Sequence, residues 1–459
     1  MDNSNHIRNH KKIHLIGIGG CSMNGIARIL NAKGYYVQGS DANVSPFTKR
    51  LEELSIPVTI GHSADNIKDC DMVIYSAAIK EDNVERVEAK RRGIPQIERS
   101  VALGQLSEDY KHVVGIAGCH GKTTITSMLS LMAQNGAFDA TCHVGGFVEF
   151  LNGGVRLGSH DLFVTEACEY VESFLTLRPT VAVINNIDND HLDYFKTMDN
   201  IVNAFRKYIA LLPEDGTIIA CNDDKYVREL LKEPHKVKNV ITYGLNNAQF
   251  VPVNVSYDMG NPEFDVAHNG EVIGHIKLCV PGEHNMIDAL AATVTALTLN
   301  ADMDKIESSL FEFRPTRRRF EFYGEKNGVK IYHDYAHHPA EVRATVSAAR
   351  KVAQKRLICV FQCNSYTRAK TLFTENVNCF DGADLVLVPD IYPGREKDTG
   401  IVHAKDMVKA INEGGVEALY IPTFEEIKKY LDENAKEGDL VLTLGSGDVY
   451  IKTRLFLED

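Results

Sequence analysis

Val113-Val114-Gly115-Ile116-Ala117 leads straight into Gly118-Cys119-His120-Gly121-Lys122-Thr123-Thr124, and the chain continues over residues 125–134 as ITSMLSLMAQ. An apolar run, a glycine-punctuated turn and an apolar-periodic stretch read as strand, loop and helix. Glycine at 118 and 121 lets the backbone turn tightly enough for successive N–H groups to face a phosphate, and the helix that follows adds the positive end of its dipole. Lys122 is placed to reach β- and γ-phosphates, and the Thr123 hydroxyl to ligate Mg²⁺. Gly118, Cys119, His120, Gly121, Lys122, Thr123 and Thr124 therefore form the expected ATP-binding loop. The spacing is the short G-x-x-G-K-T form, since the first glycine of the longer pattern would fall at Ile116. A purely structural glycine turn is the plain alternative; the strand before it and the helix after it favour a nucleotide.

Outward from this loop the same alternation recurs. IHLIGIGG (13–20), MNGIARILNAKG (23–34), YYVQGSD (35–41) and DMVIYSAAI (71–79) read as buried strands and an amphipathic helix of a parallel sheet, closing at SEDYK (107–111), a short polar joint. The unit containing the loop adds DLFVTEA (161–167), TVAVINNI (180–187) and TIIACN (217–222). Phe250 to Val280 reads as antiparallel hairpins with a turn at Asn269-Gly270, before the helix DALAATVTALTLN (288–300). A third unit carries VKIYHDYAHHP (329–339), RLICVFQ (356–362), ADLVLVPDIY (383–392), ALYIP (418–422) and DLVLTLGSGD (439–448), read as parallel strands. The predicted class is α/β in three successive domains at 1–109, 110–314 and 315–459. The first and last are Rossmann-like, and the central one is a P-loop ATPase-type, mostly parallel sheet.

Composition sets the frame. A chain of 459 residues is too long for one core. A formal charge of −12 argues against a nucleic-acid partner, which needs a basic face, but leaves small anionic ligands open. No stretch approaches the ~20 apolar residues that span a bilayer, and the polar start MDNSNHIRNHKK lacks an apolar signal segment, so no membrane association and a cytoplasmic location are expected. Ten cysteines without a CxxC pair suggest neither a zinc ribbon nor a disulfide framework, and Cys359 and Cys363 lack a second ligand pair.

Other candidates sit at strand ends, where parallel sheets open their ligand crevice. Gly17, Gly19 and Gly20, with Ser40 and Asp41 closing the next strand, suit a pyrophosphate and a ribose; NAD, a nucleotide-sugar diphosphate and an unliganded turn all remain open. Glu166 in TEACEY and His191 in NNIDNDHLD (185–193) are placed to complete a Mg²⁺ shell or orient a phosphate, against the plainer reading of a hydrogen-bonded structural histidine. His284-Asn285 reads as a helix start or a site. Arg317, Arg318 and Arg319 read as a solvated run or as phosphate-neutralising groups. Asp334, Tyr335, His337, His338 and Arg368 follow strands of the third unit; substrate contact fits them better than zinc, for which no third ligand stands at a defined spacing.

In order along the chain, IHLIGIGGCSMNGIA, AGCHGKTT, TEACEY, NIDNDHLD, PGEHN, RRFE, DYAHHP and DIYPGRE resemble the Mur ligase family over nearly the whole length. GIGG, DYAHHP and DIYPGRE are similar to the members acting before the later residues of the peptidoglycan stem peptide are added. The resemblance implies ATP and Mg²⁺ as cofactors, UDP-N-acetylmuramate and L-alanine as substrates, and a monomer or weak homo-oligomer. It implies phosphorylation of the lactyl carboxylate, then attack of the amine on the acyl phosphate. By position it assigns Lys122 to the transferring phosphoryl group, Thr123, Glu166 and His191 to metal or phosphate, and Asn285, with Asp288, to adenine. Arg318 and Asp334 are assigned to the nucleotide, and Tyr335, His337 and Arg368 to the muramoyl carboxylate and amino acid. The chain departs from the family pattern at Cys119, Ile125, Asp288, Pro315, His333 and Cys363-Asn364-Ser365. These departures keep two alternatives open, a diverged ligase with another amino-acid or peptide acceptor and a catalytically impaired UDP-sugar-binding regulator. For the leading reading, Lys122→Ala is expected to abolish turnover with little change in thermal stability.

Overall fold

The apolar runs fold into three sheets. The computed structural model describes residues 5–314, 317–394 and 396–458, apart from the side chains at 192 and 193. Pro315, one of the departures, lies outside the described residues, as does Arg395 of DIYPGRE.

In the first sheet the spatial order is β3 (Val58–Ile60), β2 (Tyr36–Asp41), β1 (Lys12–Ile16), β4 (Met72–Tyr75) and β5 (Gln96–Glu98), with every pair parallel. The order reverses across β1, so the crevice at its carboxyl end falls on the Gly17 to Gly20 turn. The helix Cys21–Ala32 buries Met23, Ile26, Ala27, Ile29 and Leu30, each large one contributing about 1.5–3 kcal/mol of transfer free energy.

The second sheet runs β15 (Glu271–Lys277), β14 (Asn261–His268), β13 (Phe250–Asp258), β12 (Asn239–Tyr243), β11 (Thr217–Cys221), β10 (Val181–Ile184), β6 (His112–Ala117), β9 (Leu162–Glu166), β7 (Thr141–Val148) and β8 (Gly153–Arg156). From β12 to β7 its pairs are parallel, and β8 returns antiparallel to β7. The expected Asn269-Gly270 turn is there, with φ of 50° and 92°. A second such turn, Met259-Gly260 at 46° and 81°, escapes sequence reading because methionine carries no turn signal.

In the third sheet the order is β16 (Glu321–Lys326), β17 (Val329–Asp334), β21 (Leu440–Leu444), β18 (Leu357–Phe361), β19 (Leu385–Val388) and β20 (Ala418–Tyr420). All pairs are parallel except β16 with β17. Strands β18, β19 and β21 are buried along their whole length, as their continuous apolar runs demand, whereas the unanticipated β16 is half-exposed and polar.

By contact, Met1–Pro252, Val266–Gly274 and Asp288–Leu310 form one compact unit, and Val253–Asp265, His275–Ile287 and Phe311–Asp459 a second. Strands β13, β14 and β15 are divided between the two units, whereas the first sheet and strands β6 to β12 of the second sheet share one. Their junction corrects the reading of SEDYK as a polar joint: Ser107 is fully buried and donates to the Gly104 carbonyl at 2.6 Å, and buried Tyr110 stacks on Phe163 at 4.9 Å. Aromatic area outweighs the polarity of the neighbouring residues.

Candidate active site

Strand β6 delivers the loop. Gly118 and Gly121 adopt φ of 140° and 84°, a region that L side chains enter only under strain. The segment after β10 braces the loop from outside. Cys119 N–H donates to the Asn186 carbonyl at 3.3 Å and His120 N–H to Asn186 Oδ1 at 2.8 Å, while the Asn185 and Asn186 amides return hydrogen bonds to the His120 carbonyl at 3.1 and 3.0 Å. The Cys119 thiol accepts from Asp188 N–H at 3.2 Å and donates to its carbonyl at 3.3 Å, and burial pushes its pKa well up. It packs as an inert thiol. Much of the 185–193 cluster, expected in the ligand crevice, therefore supports the loop instead. Asp288 lies under the same loop: its Oδ1 accepts from Asn185 Nδ2 at 2.9 Å, and a Cβ on Gly121 would come within 2.4 Å of it. Asn185 Oδ1 in turn accepts from the Tyr243 hydroxyl at 2.7 Å. An acceptor-only carboxylate at 288 thus has a donor in place.

Above this base Lys122 folds back. Its Nζ donates to the Gly118 and Cys119 carbonyls and lies 2.9 and 3.1 Å from the two carboxylate oxygens of Glu169. Burial alone would lower the lysine pKa; the charge of Glu169 outweighs it and raises it. His191, with a left-handed φ of 54°, sets Nε2 3.6 Å from Glu169 and 3.6 Å from Asp190, its ring 4.6 Å from that of Tyr170. Glu169 was missed in the sequence, where the only sign was a second acid three residues after Glu166.

Glu166 closes β9 and accepts from Gly145 N–H at 2.6 Å. Side chains on β7 at 145 and 146 would crowd Glu166 and Thr123: their Cβ atoms would stand 2.7 Å from Glu166 Oε2 and 3.1 Å from Thr123 Cγ2. The two glycines therefore leave room along one strand for the Glu166 carboxylate and for the Thr123 side chain, residue types that offer the hard oxygen donors Mg²⁺ takes.

At the first turn, Gly17 and Ile18 N–H both donate to the Ser40 carbonyl (2.8 and 3.0 Å), Gly20 N–H to the Gly17 carbonyl (3.1 Å) and Gly19 N–H to Asp41 Oδ2 (2.9 Å). Asp41 and the turn do come together, but Ser40 points inward. Its buried hydroxyl donates to Glu85 at 2.7 Å, and Glu85 is also held by His14 (3.0 Å), Asn66 (2.7 Å) and His62 (3.2 Å). The turn abuts β7: Ser22 meets His143 Nε2 at 3.1 Å, and Gly25 leaves room for that ring. The N-terminal glycine turn, Glu166 and Thr123 thus all adjoin one strand, β7.

The remaining candidates belong to the second compact unit. Asn285 donates to the Pro281 carbonyl at 2.7 Å. The Arg318 guanidinium sits over Tyr335 (4.5 Å) and Tyr450 (4.0 Å), each a cation–π contact. Asp334 accepts from the N–H groups of Phe320 and Ala336, both at 2.7 Å, and burial lifts its carboxyl to about 6. His337 packs edge-on to Tyr335 at 5.2 Å with Nδ1 3.4 Å from Glu341. His338 caps the helix Pro339–Val352 in a reciprocal box with Glu341, a structural use for that histidine. Buried His333 bonds Thr443 at 3.0 Å, Asn364 donates to Ser446 Oγ at 2.7 Å, and Ser365 caps the helix Tyr366–Thr371 that carries Arg368.

Three family models cover the chain: "Mur ligase family, catalytic domain" over residues 12–111, "Mur ligase middle domain" over 116–296 and "Mur ligase, glutamate ligase domain" over 318–447. The chain is 45% identical over 451 residues to the UDP-N-acetylmuramate–L-alanine ligase of Caldanaerobacter subterraneus subsp. tengcongensis, covering 98% of each, and 46% identical over 452 residues to that of Acetivibrio thermocellus, covering 98% and 96%. Its fold matches the crystal structure of the Thermotoga maritima UDP-N-acetylmuramate-alanine ligase with a TM-score of 0.81 at 27% identity, over 98% of this chain and 99% of that one. A murein peptide ligase from Psychrobacter arcticus shares the fold at a TM-score of 0.70 and 23% identity, over 97% and 98%. With its three matched segments in order and its full-length relatives, the chain belongs to the Mur ligase family.

Proposed function

We propose that this chain joins L-alanine to the lactyl carboxylate of UDP-N-acetylmuramate at the expense of ATP, through an acyl phosphate. The observation that supports the reading is that Lys122 and His191 both approach Glu169 beyond the carboxyl ends of β6 and β10, while Glu166 and Thr123 flank adjacent glycines of a strand that also meets the N-terminal glycine turn. Relatives that are UDP-N-acetylmuramate–L-alanine ligases, at 45% and 46% identity, support the substrate pair.

A free carboxylate is a poor acyl donor because its leaving group would be oxide. Phosphorylation turns that oxygen into a good leaving group. Lys122 neutralises charge on the transferring phosphoryl group. Thr123 and Glu166 would hold Mg²⁺, which supplies charge neutralisation between the phosphates when bound, and His191 lies where it can contact the same group. By family resemblance Gly17, Gly19, Gly20 and Asp41 are assigned to the sugar nucleotide, Asn285, Asp288, Arg318 and Asp334 to the ATP nucleotide, and Tyr335, His337 and Arg368 to the carboxylate and amine, with domains at 1–109, 110–314 and 315–459. The amine of L-alanine then attacks the acyl carbon, and the tetrahedral intermediate expels phosphate. Water must be kept out, because an acyl phosphate hydrolyses.

The test is product mass and phosphate release from purified chain, UDP-N-acetylmuramate, Mg²⁺, ATP and a panel of amino acids and peptides. Alanyl product alone supports the reading; turnover confined to another acceptor assigns the chain to a diverged ligase, for which Asn364 and Ser365 are the motivating positions. Absence of any product removes the reading.

A further inference from the structure

The ligase reading leaves Glu169 without a role, yet among the described residues no other carboxylate of the site is so enclosed. It is 1% exposed. Lys122 Nζ lies 2.9 Å from one oxygen and 3.1 Å from the other, and His191 Nε2 approaches at 3.6 Å. Its place is set by an irregular backbone. Glu172 N–H closes onto the Glu169 carbonyl at 2.8 Å, and Val171 and Glu172 both take left-handed φ values, 47° and 55°. A β-branched residue held there indicates that the surroundings hold this turn against its local preference.

The other ammonium protons go to the Gly118 and Cys119 carbonyls, so Lys122 is fully satisfied within the loop. An ammonium has three donors and one charge. To bind a terminal phosphate it must give up a carboxylate that already supplies the same charge complement. Two anions then compete for one cation in a buried setting, where like charges repel far more strongly than in water.

We propose that Glu169 stands in for the γ-phosphate: it holds Lys122 in place while the loop is empty and is displaced from it by ATP, so that it weakens binding of the triphosphate specifically. This rests on the reading of Gly118 to Thr124 as an ATP loop and does not depend on which acceptor is joined. The device keeps ground-state ATP binding loose while leaving Lys122 available as charge develops on the transferring group, the condition under which binding energy accelerates chemistry.

Calorimetric titration with ATP and with ADP, both with Mg²⁺ and without sugar nucleotide or amino acid, tests it on the full chain. Glu169→Gln keeps the shape and removes the charge. It should tighten ATP on the order of fivefold to tenfold, a change of roughly 1–1.4 kcal/mol, and leave ADP within about twofold. Glu169→Asp, which retracts the carboxylate by one methylene and covers the case in which the amide variant does not fold, should move ATP the same way by a smaller factor. A merely structural residue would weaken both nucleotides together. Equal changes for ATP and ADP, or weaker ATP binding in either folded variant, overturn the proposal. Wild-type chain that binds ATP with this pattern but forms no product would sink the ligase reading and spare this one.

Discussion

Gly115 lies midway along β6, three residues before the Gly118–Thr124 loop begins, and a methyl group there has nowhere to go. A Cβ built on it meets the Tyr208 hydroxyl at 2.1 Å, the ring carbon bearing that hydroxyl at 3.4 Å and Ala167 Cβ at 3.5 Å. Tyr208 is fully buried, and its hydroxyl has no hydrogen-bond partner among the described residues. Gly115→Ala therefore overpacks a closed site, at a cost of about 1–3 kcal/mol, against which the stiffer unfolded chain returns about 0.4–1 kcal/mol. The clash belongs to the hydroxyl oxygen alone. In Tyr208→Phe the nearest ring atom stands at ordinary contact distance, and a buried unpaired hydroxyl worth about 1–3 kcal/mol is gone, so that variant should be neutral or more stable than wild type. Gly115→Ala in the Tyr208→Phe background should then be close to neutral, a coupling of about 1–3 kcal/mol between the two positions. Equilibrium urea unfolding of the four proteins measures it, and phosphate release reports whether β6 still presents the loop. A Gly115→Ala penalty of the same size in both backgrounds would refute the reasoning.

The sequence alone suggests that Lys122→Ala spares stability; the buried pair with Glu169 predicts otherwise. Removing the ammonium strands a carboxylate that is 1% exposed, so the variant should lose phosphate release and also about 3–5 kcal/mol of unfolding free energy, and an unchanged urea midpoint would contradict this. Burial raises the Glu85 carboxyl, but hydrogen bonds from His14, Ser40 and Asn66 outweigh it and bring the pKa from 4.5 to about 2. A depressed carboxyl stabilises the fold fully above the unfolded value and loses that contribution as pH falls. The Glu85 contribution to wild-type stability should therefore drop by roughly 3 kcal/mol between pH 5 and 2, and Glu85→Gln should start lower and flatten that part of the profile. His333, pushed down to about 3 chiefly by burial, loses stability in the same direction as pH falls below 6.5, so a His333→Asn comparison separates the two contributions. Val171→Gly should raise unfolding free energy by about 1 kcal/mol, since φ of 47° strains valine and not glycine; a lower urea midpoint would show that the valine side chain matters more than its backbone.

How much of this was legible follows from the range of each interaction. The loop, the three sheets and the Asn269-Gly270 turn depend on neighbours in sequence, where glycine positions and apolar periodicity carry the information. Glu169 depends on Lys122, 47 residues away, and Asp288 on Asn185, 103 residues away, so neither partnership has a local sign. The same long range decides what the departures from the family pattern mean. Read as isolated letters, Asp288 and His333 pointed toward a chain that had lost catalysis. In the fold Asp288 receives the Asn185 amide beneath Gly121, and His333 is paired with Thr443 on the neighbouring strand β21. Cys119 is bonded on both sides to the Asp188 backbone. A substitution that damages a site leaves unmatched donors or empty volume; Asp288 and Cys119 are met by complementary groups, which is the pattern expected where the loop still has work to do, whereas buried His333 keeps Nε2 without a hydrogen-bond partner among the described residues. Asn364 and Ser365 are matched as well, to Ser446 and to the helix that carries Arg368. Their partners are polar side chains and a helix end rather than the loop itself, so any change in chemistry between this chain and its relatives should fall on the choice of acceptor and leave the activation of the carboxylate intact.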